Sequence, residues 1–225
     1  MSEVQRFPIP RTVAEAIDLQ MHLREQVREE PLDVDALRLV AGADVSFGRF
    51  GSEGWAGIVV LQMENLQVVE EVVVHTPITF PYVPGLLSFR ESPPLLEAWS
   101  RLSIKPDVML CDAHGRAHPR RFGMACHFGL LVDIPTIGCA KSLLCGNVET
   151  MSPMRDWFPI REGDELIGAA LLTLPSARPV YVSVGHRVDL PSALEVVRRC
   201  VCRHRIPEPL RLAHELVTQA RKGSV

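Results

Sequence analysis

The chain contains 225 residues with a formal net charge of -3, and 47% of its residues are apolar, 23% charged and 6% aromatic. This composition excludes a disordered or collagen-like chain, and the small negative charge argues against nonspecific coating of nucleic acid. Because domains of roughly 100–200 residues are typical, we expect one domain over residues 1–225.

The cysteines and the apolar runs indicate a reduced, cytoplasmic protein without a membrane span. The sequence has no CxxC pair and no zinc-finger spacing, and most cysteines lie in apolar runs, as small core residues do. The N-terminal segment MSEVQRFPIP lacks an apolar signal core, and no run of 18 apolar residues occurs. Since no pattern is typical of an oligomer, we expect a monomer.

The first third of the chain is predicted to form a helix followed by three strands. Residues 12–28 place apolar and charged side chains at helical spacing. Residues 37–47, 57–63 and 68–78 are apolar runs of strand length joined by short links. Adjacent strands with short links predict an antiparallel meander.

After a proline-rich loop at residues 77–84, the chain alternates helices and strands. A helix is predicted from Ser88 or Ser92 to about Leu102, whereas residues 143–163 show little apolar periodicity and are interpreted as an excursion. The remaining predicted strands are 107–113, 135–141, 165–174 and 179–185, and the remaining helices are 121–132, 191–203 and 207–222. A meander followed by βα units predicts an α/β fold, with helices on both faces of one mixed sheet.

Three carboxylates are candidate metal ligands. Asp44 interrupts the apolar strand AGADVSF, and Asp112 ends the apolar run DVMLCD. A buried ionised carboxylate costs free energy unless it is paired or bound to a metal, and two on neighbouring strands would repel each other. Hard oxygen ligands suit Mg²⁺ or Mn²⁺, and Glu91 could complete the set. Alternatively, Asp44 and Asp112 are independent turn or cap residues, and Glu91 is an acid in the first turn of a helix.

The segment DAHGRAHPRRFGMACH at residues 112–127 has the highest density of reactive side chains. It contains His114, His118, His127, Arg116, Arg120 and Arg121. Basic groups beside a metal-binding aspartate suit a substrate that carries phosphate. A zinc site is one alternative, although the spacing matches neither HExxH nor a zinc finger. The other is a solvated polar loop with a core histidine at His127.

Two further residues have both a functional and a structural interpretation. Lys141 ends the strand PTIGCAK, where it is either a solvated strand end or, beside Asp112, a group that contacts a phosphate or water. Tyr82 lies between Pro81 and Pro84, which restrict the backbone around it. A stiff exposed ring can insert into a base stack, and the alternative is a ring packed under its own loop.

Together these segments resemble the endonuclease V family, whose members cut nucleic acid that contains deaminated adenine. The resemblance extends from about residue 41 to residue 214, and its two rarest blocks are DAHGRAHPRRFG and PYVPG. The segments that carry it are AGADVSF at 41–47, PYVPGLLSFRES at 81–92, KPDVMLCDAHGRAHPRRFGMACHFGLLVDIPTIGCAKS at 105–142, YVSVGH at 181–186 and HRIPEPLRLAH at 204–214.

The resemblance implies a ribonuclease H-like fold and a Mg²⁺-dependent endonuclease of DNA repair, with Mn²⁺ as a substitute. It implies hydrolysis of the second phosphodiester bond on the 3′ side of deoxyinosine, leaving 3′-hydroxyl and 5′-phosphate ends. The residues that match the family's functional positions are the metal carboxylates Asp44, Glu91 and Asp112, the wedge residue Tyr82, Lys141 near the scissile phosphate and His118 near the active site.

The resemblance also implies a lesion pocket built from backbone and small residues. The matching positions are Gly85, Leu87, Ala113, His114, Gly115 and Gly123. Ala113 departs from the family, which usually has glycine there, so its methyl group is expected to crowd the base. Cys139 stands where an aliphatic residue is common and is interpreted as a harmless core exchange.

Three other functions are considered. One is an endoribonuclease that acts on inosine in RNA, which would use the same scaffold. A binding module without cleavage would lack a carboxylate, yet Asp44, Glu91 and Asp112 are all present. A ribonuclease H-like resolvase would have no use for the PYVPG segment.

Overall fold

The computed structural model describes residues 10–150 and 154–223. Helix α1 (Val13–Leu23) begins after Thr12, whose hydroxyl accepts a hydrogen bond from the Glu15 amide and so caps the helix. Three strands follow: β1 (Leu39–Phe47), β2 (Glu53–Gln62) and β3 (Val68–Pro77). They pair antiparallel in sequence order, which confirms the predicted meander.

The remaining elements alternate as predicted, with one correction given below. They are α2 (Leu87–Arg101), β4 (Val108–Cys111), α3 (Met124–Val132), β5 (Thr136–Ala140), β6 (Asn147–Val148), β7 (Trp157–Glu162), β8 (Glu165–Leu171), β9 (Val180–His186), α4 (Leu190–Arg199) and α5 (Glu208–Gly223).

The nine strands form one mixed sheet in the order β3-β2-β1-β4-β5-β9-β8-β7-β6. The central strands β1, β4 and β5 run parallel, with Ala43 beside Cys111 and Leu110 beside Ile137. The carboxyl ends of these strands therefore meet at one edge of the sheet, where Asp44 lies near the residues that follow β4 and β5. This is the predicted α/β, ribonuclease H-like mixed sheet.

Helices cover both faces of the sheet, as predicted. Adjacent residues of a strand point to opposite faces, so Leu110 packs with residues of α4 and α5 while Met109 packs with residues of α2 and α3. Helix α5 lies very close to the sheet, since a β-carbon at Gly42 would be 2.1 Å from the Pro209 carbonyl oxygen. Glycine at this position thus lets α5 pass directly over β1.

The interpretation of residues 143–163 as an excursion without strands is wrong. The segment contains the two-residue strand β6 and the six-residue strand β7, which extend the sheet beyond β8. A two-residue strand is too short to show a period, and Pro159 in β7 argues against a strand in the sequence. Residues 151–153 of the segment lie outside the described residues.

Helix α2 begins at Leu87 and continues through Pro93 and Pro94. Glu91 is therefore its fifth residue and not, as the sequence suggested, an acid of the first turn. The N-terminal residues 1–9, part of the segment that lacks a signal core, lie outside the described part of the chain. Among the helices of the described part, none has the length and apolar character that a membrane crossing requires.

Candidate metal centre and adjoining pocket

Asp44 and Asp112 come together at the edge formed by the ends of β1 and β4. The Asp112 amide donates a 3.2 Å hydrogen bond to the Ala43 carbonyl oxygen, so the parallel pairing continues beyond the end of β4. The two side chains are only 14% and 11% exposed. The structure thus brings together two carboxylates that are far apart in the sequence.

Glu91 adds a third carboxylate from helix α2. Burial and the negative charges of Asp44 and Asp112 hold the pKa of Glu91 well above its ordinary value. Burial also raises the pKa of Asp44, as does the carboxylate of Asp112. Burial is the larger cause of both pKa shifts and the neighbouring like charges are the second, and a divalent cation would neutralise those charges.

His214 is a member of this site that the sequence analysis missed. Its ring Nδ1 lies 2.8 Å from the Asp44 Oδ2, and ligand atoms of Asp44, Asp112 and His214 all lie within 4.8 Å of one another. The residue is carried by α5, which approaches β1 closely at Gly42. His214 is the last residue of the segment HRIPEPLRLAH, but no local pattern in that segment places it beside Asp44.

Lys141 follows the last residue of β5, and of the two arrangements that the sequence left open the structure shows the one beside Asp112. Its ammonium Nζ forms an ion pair with the Asp112 Oδ2. The attraction of Lys141 also acts to lower the pKa of Asp44. The single positive charge of Lys141 cannot balance three carboxylates. The ion pair between Lys141 and Asp112 therefore leaves negative charge that a metal ion can neutralise.

The donor set fits a hard divalent cation. Two aspartates and an imidazole lie close enough to ligate one ion, and Glu91 interacts electrostatically with both aspartates. Carboxylate oxygens are the ligands that Mg²⁺ and Mn²⁺ prefer. Asp44 and Asp112 are not independent turn or cap residues, because their ligand atoms lie within 4.8 Å of each other.

A pocket of about 380 Å³ adjoins the carboxylates and shares Asp112 with them. Six of the seven residues expected at the lesion contribute to its lining: Tyr82, Gly85, Leu87, Ala113, His114 and Gly123. The seventh, Gly115, packs against β9, where a β-carbon would lie 2.0 Å from the Val184 carbonyl oxygen. His118, Lys141 and Gln20 also line the pocket.

The pocket wall is fixed to the loop that carries Tyr82 by three side chains. The carbonyl oxygen of Gly85 accepts hydrogen bonds from Gln20 (3.0 Å), His118 (3.1 Å) and Arg120 (2.6 Å). Gly85 has a φ of +78°, and a β-carbon there would lie 2.7 Å from the Arg120 Nη2. The positive φ therefore favours glycine at this position, and a β-carbon would also require the Arg120 guanidinium to shift.

His118 is buried in this network and neutral at neutral pH. Burial and the adjacent Arg120 lower the pKa of His118 to about 4. Its Nδ1 accepts a hydrogen bond from the Arg120 amide, so its Nε2 carries the proton that is donated to Gly85. With both ring nitrogens occupied, the histidine connects the 112–127 segment to the Tyr82 loop.

The ring of Tyr82 is 71% exposed. Of the two arrangements considered for Tyr82, the structure therefore shows the exposed ring and not a ring packed under its own loop. Val83 and Pro84 line the same pocket as Tyr82, so the exposed ring borders the cavity. An exposed aromatic on an anchored loop has the stiffness that insertion into a base stack requires.

The structure pairs the arginines of the 112–127 segment with groups of the protein itself. Arg116 forms ion pairs with Glu29 and Glu165, and Arg121 forms ion pairs with Glu162 and Glu165. Arg120 is bonded to Gln20 and Gly85. All three guanidinium groups therefore hold the protein's own loops together.

A ribonuclease H-like sheet with carboxylates converging at the ends of its central strands defines a nuclease. The model of the family described as Endonuclease V matches residues 21–215. The chain belongs to the endonuclease V family.

The most informative relatives agree over nearly the whole chain. The endonuclease V of Roseiflexus castenholzii is 48% identical over 203 residues, which are 88% of this chain and 90% of that protein. The crystal structure of Streptomyces avermitilis endonuclease V matches with a TM-score of 0.91 at 40% identity, covering 99% of both chains. Endonuclease V of Ciona intestinalis, in complex with a 24mer DNA containing an inosine followed by a ribo-adenosine, matches at 27% identity and a TM-score of 0.86, covering 95% of this chain and 99% of that one.

Proposed function

We propose that this protein is a Mg²⁺-dependent endonuclease of DNA repair that recognises deoxyinosine and hydrolyses the second phosphodiester bond on its 3′ side. The products would carry 3′-hydroxyl and 5′-phosphate ends. The observation that carries the proposal is that Asp112 belongs both to the carboxylate cluster and to the lining of the pocket. A place for the reacting phosphate and a place for a base are therefore adjacent. The inosine-containing DNA bound by the Ciona intestinalis relative supports this choice of substrate.

Asp44, Glu91 and Asp112 would hold the cation, with His214 beside Asp44. A bound Mg²⁺ supplies charge neutralisation at the phosphate and an activated water, and Mn²⁺ is expected to substitute. Lys141 places an ammonium beside Asp112, where it can attract the scissile phosphate and stabilise the charge that develops on its oxygens. His214 orients the Asp44 carboxylate by hydrogen bonding.

Recognition requires the damaged base to leave the stack. The pocket volume of about 380 Å³ and its small residues Gly85, Ala113 and Gly123 suit a flipped base that is held by backbone groups. Tyr82 would fill the space that the base leaves. We assign His118 to the positioning of the Gly85 loop, since both of its ring nitrogens are engaged by the backbone.

The test is cleavage of end-labelled strands that are identical except for one inosine, in Mg²⁺ and in EDTA. We expect cutting only of the inosine-containing strand and only with Mg²⁺. The cut should fall at the second phosphodiester bond on the 3′ side of the inosine, one bond beyond the bond adjacent to it. Matched DNA and RNA strands distinguish deoxyribonuclease from the alternative inosine-specific endoribonuclease. Equal cutting of strands with and without inosine would contradict the proposal. The cytoplasmic location, the monomeric state and the single domain over residues 1–225 stay predictions from the sequence.

A further inference from the structure

The turn between β1 and β2 presents a second exposed aromatic at the same end of the sheet as the carboxylates. Phe50 is 90% exposed, and Arg49 beside it is also exposed. β1 carries Asp44 and then runs directly into this turn, only a few residues later. A single exposed apolar side chain is ordinary by itself, so the meaning of Phe50 depends on what lies beside it.

The turn is held in one shape. The Gly48 amide donates to the Glu53 carbonyl oxygen (3.0 Å), and the Gly51 amide donates to the Gly48 carbonyl oxygen (2.9 Å). Gly51 has a φ of +71°, which favours glycine. Phe50 is therefore presented by a closed turn.

Arg90 connects this turn to the loop that carries Tyr82. Its guanidinium is buried, stacks on the Phe47 ring at 4.4 Å, and donates to the carbonyl oxygen of Gly51 and, at 2.7 Å, to that of Phe80. Two loops that follow different strands are thus bound to one rigid planar group. Phe50 is one residue from Gly51, and Tyr82 is two residues from Phe80.

Arg90 therefore places the two exposed rings on loops that share one anchor. The path from Phe50 to Tyr82 through Arg90 crosses three residues of backbone, two hydrogen bonds and one guanidinium group. A single nucleic-acid strand is long enough to contact both loops.

Arg49 gives the turn the charge that a nucleic acid requires. Its guanidinium lies 5.9 Å from the centre of the Phe50 ring, and within the described part of the chain it forms no ion pair. This differs from Arg116 and Arg121, whose charges are balanced by glutamates. A cation next to an exposed ring is the combination that binds a phosphate and stacks on a base.

We propose that Arg49 and Phe50 form a second nucleic-acid contact, which holds an unpaired nucleotide of the strand whose damaged base lies beside Tyr82. Phe50 stacks on the base of that nucleotide and Arg49 binds its phosphate. The inference rests on the proposed function, because it assigns the turn to the same inosine-containing strand. It also predicts a preference for a single-stranded flank, since a paired base does not offer its face to a ring.

The test is binding of a single-stranded inosine oligonucleotide in Ca²⁺, which should suppress cutting. Phe50→Ala is expected to weaken binding about fivefold or more, and to weaken binding of a fully paired duplex less. Arg49→Ala is expected to reduce the slope of log K against log salt by about 0.7, the loss of one phosphate contact to a single strand. Both variants should unfold at the wild-type temperature, because both side chains are exposed.

Matched controls come from the opposite end of the sheet. Arg38→Ala and Val68→Ala remove an exposed arginine and an exposed apolar side chain there, and both should bind as wild type. Shortening the oligonucleotide stepwise from each end should abolish the Phe50→Ala defect once the contacted nucleotide is removed. A defect that persists at every length would contradict a local contact.

The outcomes separate this inference from the proposed function. If wild type prefers the inosine strand and both turn variants bind within twofold of wild type, the second contact is overturned while the proposed function stands. If wild type binds strands with and without inosine equally, the proposed function fails. If wild type binds no nucleic acid, both fail.

Discussion

His214 Nδ1 lies 2.8 Å from Asp44 Oδ2, which joins helix α5 to strand β1 across 170 positions of sequence. The contact depends on Gly42 and Gly57, where a β-carbon would lie 2.1 Å from the Pro209 carbonyl oxygen and 2.6 Å from Val217. The absence of side chains on these two strand positions lets α5 approach the sheet. The hydrogen bond from His214 opposes the upward shift of the Asp44 pKa that burial causes.

His214→Ala should therefore weaken metal binding. We expect cleavage at limiting Mg²⁺ to fall about 10–100-fold, with partial recovery at high Mg²⁺, because groups that orient metal ligands typically have effects of this size. The measurement is the cleavage rate as a function of Mg²⁺ concentration. His204→Ala, which removes an exposed histidine before α5, is the control and should behave as wild type. An unchanged Mg²⁺ dependence of His214→Ala would argue against the assignment.

Asp44→Asn and Asp112→Asn should each abolish cleavage of the inosine strand while the fold is retained. An amide keeps the shape of the side chain but not the charge that a cation needs. The measurement is single-turnover cleavage, with circular dichroism to check the fold. Asp18→Asn, on the exposed side of α1, is a matched control. Cleavage by either site variant at close to the wild-type rate would remove that carboxylate from the metal site.

Glu91→Gln should change how the stability of the metal-free protein depends on pH. The pKa of Glu91 is raised well above its ordinary value of 4.5, so above pH 4.5 the folded state binds more protons than the unfolded state. The contribution of Glu91 to the free energy of unfolding is therefore complete below pH 4.5. It is lost as the pH rises through the pKa that Glu91 has in the folded state. In EDTA, the variant should lose less stability than wild type between pH 5 and pH 8.

Urea unfolding at several pH values checks the Glu91 prediction. Glu97→Gln, on the same helix with its side chain 42% exposed, should keep the wild-type pH dependence. Parallel curves for wild type and Glu91→Gln would show that the like charges do not act on Glu91 as the structure indicates. Added Mg²⁺ should raise the stability of wild type more than that of the variant.

Tyr82→Ala should weaken discrimination between inosine-containing and normal duplex more than it weakens metal binding. The ring is 71% exposed on a loop anchored through Gly85, so its loss should not disturb the core. Binding to duplexes in Ca²⁺ measures the discrimination, and the Mg²⁺ dependence of cleavage measures the metal site. An equal loss on single-stranded substrate, where little unstacking is needed, would indicate a structural ring and not a wedge.

Ala113→Gly should tighten or leave unchanged the binding of inosine-containing DNA, with catalysis retained. Ala113 lines the pocket directly after Asp112 and is 8% exposed, and its methyl group packs in the core formed with α2 and α3. A single methyl group limits the change to about 1–2 kcal/mol. Binding of the lesion strand in Ca²⁺ is the measurement. Weakening of tenfold or more would show that the methyl group makes a needed contact.

The α/β class, the meander and most of the later elements follow from local sequence patterns. Apolar periodicity is a local property, and it was strong in strands such as β1 and β4, whose residues are buried on both faces. Apolar periodicity did not predict β6, which has only two residues, or β7, which contains Pro159. The resemblance of two local blocks indicated the family, and the family match over residues 21–215 confirmed it.

Which side chains meet depends on how the strands and helices pack together. Parallel pairing of β1 with β4 brought Asp44 to Asp112, and close approach of α5 brought His214 to Asp44. The same packing turned Arg116 and Arg121 toward glutamates and left Arg49 without an ion pair in the part of the chain that the structure describes. Such partnerships depend on strand register and on the distance between layers. Both are set by the packing of the whole core, so no local stretch of sequence contains them.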